Sequence, residues 1–254
     1  MASETYAELN KAWKATCRMI FKEEVGELGE FENYLKEAVI GKDVASVSGK
    51  PLWVTSEHYC GNAKFIEFGK DAVPNAKPLD INSIKDIDSL LEGISENVIY
   101  SGNKILGNSK LVEHSDAIVD GTFILNSSSI QKGKCEAYVY MIHDGEFAFG
   151  STSSGDSSHI IRCFYNNSMR RCFECSTCVG VSDGYYCYNT MNCTDLMFCF
   201  HLRAKHNMIG NVQLEKEKYQ ELKEKLVAEL CDEMKRKKRA DFSIINVFNG
   251  DVDG

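Results

Sequence analysis

The sequence predicts a mainly β protein: a single-stranded β-solenoid (β-helix) of about six coils, preceded by N-terminal helices and closed by a C-terminal capping helix. Three observations predict it. Tyr100, Leu106, Val112, Ile118, Ile124 and Ile130 follow one another at intervals of six. The same step returns later as Cys163, Met169, Cys175, Val181, Cys187, Cys193 and Cys199. Helical periodicity is confined to the two ends of the chain. Helices repeat near 3.6 residues and strands near 2, so a sustained step of six belongs to neither alone. It is the mark of stacked units, each making one short strand and one corner.

The N-terminal part, residues 1–97, reads as a helical and mixed cap. Leu9, Trp13, Cys17, Ile20 and Phe21 recur at helical steps, "EVGELGE" interrupts, and Phe31, Tyr34, Leu35 and Val39 resume the pattern. Short β-type runs follow, "PLWVTSEHYC" and "AKFIEF". A short helix comes next, with Ser83 as its N-cap and Ile84, Ile87, Leu90, Leu91 and Ile94 on its apolar face.

Residues 98–212 are the predicted solenoid. Aliphatic residues fill the coil, and Gly, Asn, Ser and Asp turn the corners in units such as "LGNSKL" and "IVDGTF". Ile160, Cys172 and Cys178 form a second series offset by three. Both spacings fit coils of about 18–21 residues and a rod under ~30 Å long. Residues 213–254 are the capping helix and an apolar docking tail, "FSIINVF", with Tyr219, Leu222, Leu226, Leu230 and Met234 on one helical face.

Composition limits the function. The chain has 254 residues and a formal charge of −8, which argues against nucleic acid as a general partner. No apolar run approaches the ~18 residues of a membrane span, and the first residues carry no secretory apolar core. Eleven cysteines without a leader read as reduced thiols or metal ligands, and the expected location is the cytoplasm.

The motif with most chemistry is "CFECSTC". Cys172, Cys175 and Cys178 match the first part of an iron–sulfur run, but Val181 or Ser182 stands where the fourth cysteine should be. Cys172, Cys175 and Cys187 with His201, or Cys172, Cys175, Cys178 and Cys187 together, are the candidate zinc or cluster ligands. The other reading is that these cysteines are small buried wall residues of the coil, free cysteine being among the most buried types. His143, His159, His201 and His206 are candidate general bases, none in a recognisable motif. Arg162, Arg170, Arg171 and Arg203 form either an outward positive stripe or pairs with Glu136, Glu174 and Asp195. "KRKKR" at 235–239 complements a helix C-terminus or meets an acidic partner.

Two resemblances follow from these residues. "RCFECSTC" with Ile209, Gly210, Asn211, Lys218, Tyr219, Leu222 and Lys223, together with the opening "LNKAWKATCRMIF", resembles uncharacterised Cys- and aromatic-rich repeat proteins of archaea and small-genome bacteria. That resemblance implies a prokaryotic origin and no activity. The repeat itself is similar to the hexapeptide unit of certain acyltransferases. The functional expectation is a non-enzymatic scaffold or interaction protein, needing no cofactor and no catalytic residue, that self-associates through the solenoid as a homo-oligomer. The alternatives are a zinc or iron–sulfur protein using the cysteine cluster, and a hexapeptide-repeat transferase.

Overall fold

The computed structural model describes residues 3–37, 39–143, 145, 148–155, 158 and 160–244. It contains the solenoid, with a coil shorter than expected. The ladder Asp116, Ser128, Tyr140, Thr152, Phe164, Ser176, Tyr188, Phe200 climbs in parallel steps of twelve residues. Each coil therefore holds twelve residues rather than roughly 18–21, and the chain makes about eight turns rather than six. The six-residue signal is half of one coil.

The reason is in the backbone. Leu111, His114, Ala117, Asp120 and Phe123, every third residue, have φ between 44° and 57°. The same left-handed corner recurs at each third residue from Arg162 to Thr177 and from Asp183 to Asn207. A triplet is thus one side of the coil: a ladder residue, a left-handed corner, and a residue pointing inward. Four triplets close a turn, giving four parallel ladders that run through Asp116, Val119, Thr122 and Leu125. Asn, Asp, His and Gly supply many corners because they tolerate this region.

Triplets also fix how backbone donors are used. Ladder residues donate upward, as Asp116 N–H does to Ser127 O at 3.1 Å, and corner residues donate downward, as Asn126 N–H does to Glu113 O at 3.2 Å. The inward residue has no ladder acceptor for its own N–H. Where a polar side chain stands one coil below, it supplies one. Ser127 N–H donates to Ser115 Oγ at 3.1 Å, Val139 N–H to Ser127 Oγ at 3.1 Å, Cys163 N–H to Ser151 Oγ at 3.1 Å, and Cys178 N–H to Asn166 Oδ1 at 2.7 Å. Small acceptor-bearing side chains are therefore wanted inside this coil, along with aliphatic ones.

The interior forms two apolar clusters. Val112, Ile118, Ile124, Ile130, Val139, Ile142 and Ala148 fill the early coils, and Ile160, Met169, Val181, Leu196, Met208 and the cysteines fill the later ones. In the early coils large and small residues alternate. A Cβ on Gly121 would lie 2.5 Å from Ile118 Cγ2, and one on Gly133 2.4 Å from Ile130 Cγ2. Leu106 does not join this interior and is 39% exposed. Ile105 pairs with Ile118, a step of thirteen, with Gly107 in the left-handed region just after. The extra residue swings Leu106 out. Tyr100 is likewise exposed and lies before the first coil.

The helices lie along the rod. The outward ladder Leu125, Ala137, Phe149, Ile161, Phe173, Tyr185, Met197 is apolar and buried or half-buried, so it needs a cover. Helix α1 (Glu4–Phe21) packs over the early coils. Its Trp13 is fully buried against Phe31 and Phe149, with ring centroids 4.9 and 5.3 Å apart. Tyr185 Oη donates to Ile20 O at 2.7 Å. A 3-10 turn (Leu28–Phe31) and α2 (Glu32–Lys36) continue this layer. The last helix leaves the final coil and folds back: Lys223 Nζ meets Asp195 at 3.0 Å, and further along Lys238 Nζ meets Glu30 at 3.1 Å. Each buried aromatic of this layer contributes on the order of 1.5–3 kcal/mol.

A small module stands at the N-terminal end of the rod. Strands β1 (Lys42–Ala45) and β2 (Pro51–Val54) form a hairpin, and β3 (Lys64–Glu67) pairs in parallel with β4 (Ile99–Gly102). Asp116, fully buried, clamps this module to the first coils through Thr55 Oγ1 at 2.6 Å and Lys104 Nζ at 2.6 Å. Helix α3 (Ile87–Ile94) begins at Asp86 rather than Ser83. No residue of its expected apolar face is fully buried, and Ile87 is 74% exposed. Helix α4 (Lys216–Lys237) matches the expected C-terminal helix.

The acceptor rule has a direct test. Ser127→Ala leaves the Val139 N–H buried without a partner and should cost about 1–3 kcal/mol in urea denaturation. Ser127→Cys, which keeps an acceptor at the same place, should lose clearly less.

Candidate functional site

Cys172, Cys175 and Cys178 occupy three of the four inward positions of one coil, and Cys187 stands directly above Cys175 in the next. All four are fully buried. Corners intervene between them, so residues three apart do point to one interior. Each thiol then makes the bond that serine makes in the early coils. Cys172 Sγ donates to Arg170 O at 3.3 Å, Cys175 Sγ to Phe173 O at 3.5 Å, Cys178 Sγ to Ser176 O at 3.2 Å and Cys187 Sγ to Tyr185 O at 3.4 Å. Ser115 and Ser127 reach Glu113 O at 2.7 Å and Leu125 O at 2.8 Å in the same way. Sulfur also accepts from the coil above, as Cys193 Sγ does from Lys205 N–H at 3.4 Å. Burial pushes the Cys178 thiol up to about 12 and the Cys199 thiol up to about 11, which keeps both protonated. Among the described residues no three Cys, His, Asp or Glu side chains are placed to hold a metal ion. His201 lies on the surface, its Nδ1 2.8 Å from Asn189 Nδ2, and does not approach the interior thiols.

The other histidines are dispersed. His143 and His206 are exposed on different ladders, and His159 lies outside the described residues. His114, which the sequence did not single out, is the most engaged. Its Nδ1 is 2.5 Å from Asn126 Oδ1, its Nε2 is 2.7 Å from Asp43 Oδ1, and its ring packs 4.5 Å from Trp53.

The arginines divide between surface and interior. Arg171 pairs with Asp183 through Nε and Nη2 at 2.8 and 2.5 Å, Arg203 donates to Asn189 O at 2.7 Å, and Arg170 is exposed. Arg162 and Glu174 are buried neighbours on one corner column. Arg162 Nε donates to Glu174 Oε1 at 2.7 Å, Tyr34 Oη donates to the same oxygen at 2.7 Å, and Ser243 Oγ and Ile244 N–H donate to Oε2 at 2.5 and 3.1 Å. Arg162 also meets Glu37 at 2.8 Å. Burial holds the Glu174 carboxyl above the usual carboxylate range even with the guanidinium beside it. This constellation ties α2, the solenoid and the tail after α4 into one piece. Phe242, Ser243 and Ile244 of the apolar tail dock here on their own chain; the rest of "FSIINVF" lies outside the described residues. The 235–239 cluster is also internally paired, Lys235 with Glu23, Lys237 with Asp241 and Arg239 with Glu37.

Glu136 does not pair with an arginine. It points inward, is 0% exposed, and neither oxygen has a hydrogen-bond partner among the described residues. Its carboxyl fits because Gly133 and Gly145 lack side chains: a Cβ on either would stand 2.6 or 2.9 Å from its oxygens. Burial pushes its pKa well above the ordinary carboxylate range.

The remaining candidate is the uncovered face of the rod. Met141 and Tyr165 lie on one corner column, and Val179 and Met191 on the ladder beside it. All four are exposed, Tyr165 to 66%. The aromatics of the later coils divide: Phe164, Phe173, Tyr185 and Tyr186 are buried, and Tyr188 and Phe200, on the ladder flanking the Tyr165 column, are half-buried. A groove of about 380 Å3 on this face is bordered by Ser129, Gln131, Met141, His143 and Asn166.

Glu136 gives a signed pH prediction. Its pKa is higher in the folded chain than in the unfolded one, so its contribution is intact below the unfolded pKa and is lost as pH rises above it. Glu136→Gln should match the wild type near pH 4. It should be more stable at pH 7, by up to about 1.4 kcal/mol for each pH unit gained. Thermal melts of both proteins across this range check it. Comparison of the chain with protein-family models and with curated proteins finds no match.

Proposed function

We propose that this protein is a non-enzymatic scaffold that self-associates laterally through the uncovered face of its solenoid. The observation that carries the reading is the exposed row Met141, Tyr165, Val179 and Met191, set on a rigid face while the apolar ladder on another side is already covered by α1 and α4. Side chains on successive coils repeat at strand spacing, ~4.8 Å, and a second copy of this chain carries the same spacing. A two-fold contact lets each copy present the same patch.

End-to-end growth is opposed at both ends. The last coil runs into the hairpin His206–Ile209 with Val212–Gln213, and the Asn211 side chain bonds the Phe200 N–H and C=O at 2.8 and 2.9 Å. At the other end β2 sits against the first coil, with Asn103 N–H donating to Trp53 O at 3.0 Å. Blunted edges leave lateral contact as the available mode. The buried cysteines support a structural role over a metal centre, since each already serves the backbone. Ten buried thiols and one exposed, with no disulfide among the described residues, suit a reducing compartment. No helix among the described residues is long and apolar enough to cross a membrane.

Light scattering tests the reading. The wild type should give at least twice 28.5 kDa, and Tyr165→Glu combined with Met191→Glu should return the single-chain mass without loss of β circular dichroism. A wild-type chain that stays monomeric at about 100 μM, weaker than any functional dimer of this kind, overturns it.

A further inference from the structure

Between the N-terminal module and the first coils lies a cleft of about 360 Å3. One wall is the indole of Trp53, held in place because its Nε1 donates to Ser128 Oγ at 2.8 Å and its ring packs on His114. Leu52, Phe68, Ile105 and Val112 supply apolar surface. Phe68 and Ile105 are exposed at its rim, where no described residue covers them.

The polar groups are unevenly satisfied. His114 is engaged at both nitrogens, and Asn103 Oδ1 accepts from Trp53 N–H at 2.9 Å. Ser115 Oγ donates to Glu113 O and accepts from Ser127 N–H. Two carboxylate oxygens are left over. Asp43 uses Oδ1 on His114, and its Oδ2 has no partner among the described residues. Glu67 is only 7% exposed, and its Oε1 takes Lys70 Nζ at 2.6 Å. Its Oε2 has only Lys50 Nζ at 3.9 Å, beyond hydrogen-bond reach. Glu67 thus already carries two lysine contacts, one of them from Lys70 in the cleft wall, and its Oε2, like the Oδ2 of the exposed Asp43, is open to a further donor beside the aromatic wall.

We propose that this cleft binds a small organic cation, an amine or guanidinium carrying a short apolar or aromatic group. The charged head donates to Asp43 and Glu67, and the apolar part lies against Trp53, where a cation is also attracted to the ring face. Its size suits a molecule of fragment to drug dimensions, and apolar lining with a few convergent polar groups is the usual character of such sites. The site is independent of lateral association, since it is built from the N-terminal module and the first coils.

The chain has two tryptophans, and Trp13 is sealed in the helix layer, so a ligand-dependent change in indole emission reports on Trp53. Benzylamine and agmatine are the cationic probes, and benzoate is the anionic control. Both amines should give a saturable change below about 10 mM, and benzoate none. Asp43→Asn, an exposed substitution that leaves the core untouched, and Glu67→Gln should each weaken the amines roughly tenfold, and Trp53→Phe should abolish the signal. A melting curve establishes that each variant is folded, and Asp43→Asn alone carries the test if Glu67→Gln is not. No saturable response to either amine, an equal response to benzoate, unchanged affinity in folded Asp43→Asn, or a signal that survives Trp53→Phe overturns the proposal.

Discussion

The left-handed corner at every third residue is the constraint on which the rest of this structure depends. An L-residue placed there costs roughly 1 kcal/mol or more, and bulky side chains such as Phe123, Tyr138 and Thr177 are placed there as well. Such a backbone persists only because the ladders above and below over-determine it. Once the corners are set, the remainder follows. Four triplets close a coil, one residue in three faces inward, and one N–H in three loses its ladder acceptor. Serine, asparagine and cysteine inside the coil answer that last demand from the coil below.

This accounts for the cysteines as wall residues of the coil. In the early coils Ser115, Ser127 and Ser151 stand on the inward column that Cys163, Cys175, Cys187 and Cys199 occupy later. Oxygen and sulfur both donate to the carbonyl two residues back, and on another inward column Cys193 Sγ accepts from the N–H one coil above as Ser115 and Ser127 Oγ do. Cysteine adds apolar volume, which the later coils need because Gly184 and Thr190 are small at the neighbouring positions. The rod is then joined to its helical layer by the Arg162–Glu174 pair, both partners of which are buried. Removing either partner would strand the other, the situation in which buried pairs become expensive.

The six-residue step was legible in the sequence because twelve is twice six, and because Ile118, Ile124 and Ile130 are large. The three-residue step was hidden in the same stretch: Gly121, Ser127 and Gly133 face inward yet resemble turn residues. At Cys172, Cys175 and Cys178 consecutive triplets carry one residue type, and there the pattern also resembles a ligand set. Coil length could not be read at all, since twelve, eighteen and twenty-one are all multiples of three, and the number of triplets per turn is decided by backbone torsions. Leu106 misled because a single extra residue beside Gly107 shifts the register. The first and last helices were placed correctly along the chain, but their position on the rod depends on an apolar outward ladder, Phe149 to Met197, that looks like interior until the inward column is known. The Trp53–His114 cleft joins residues far apart in sequence and left no local pattern.

Thiol counting under native conditions tests this account most directly. Cys60 is the exposed cysteine, and the other ten are buried as wall of the coils or of the helix layer. One thiol per chain should react rapidly with a water-soluble aromatic disulfide in the folded protein, and all eleven after denaturation. Rapid native reaction of several cysteines between Cys163 and Cys199 would mean that this column does not face a closed interior, and the triplet coil would be wrong.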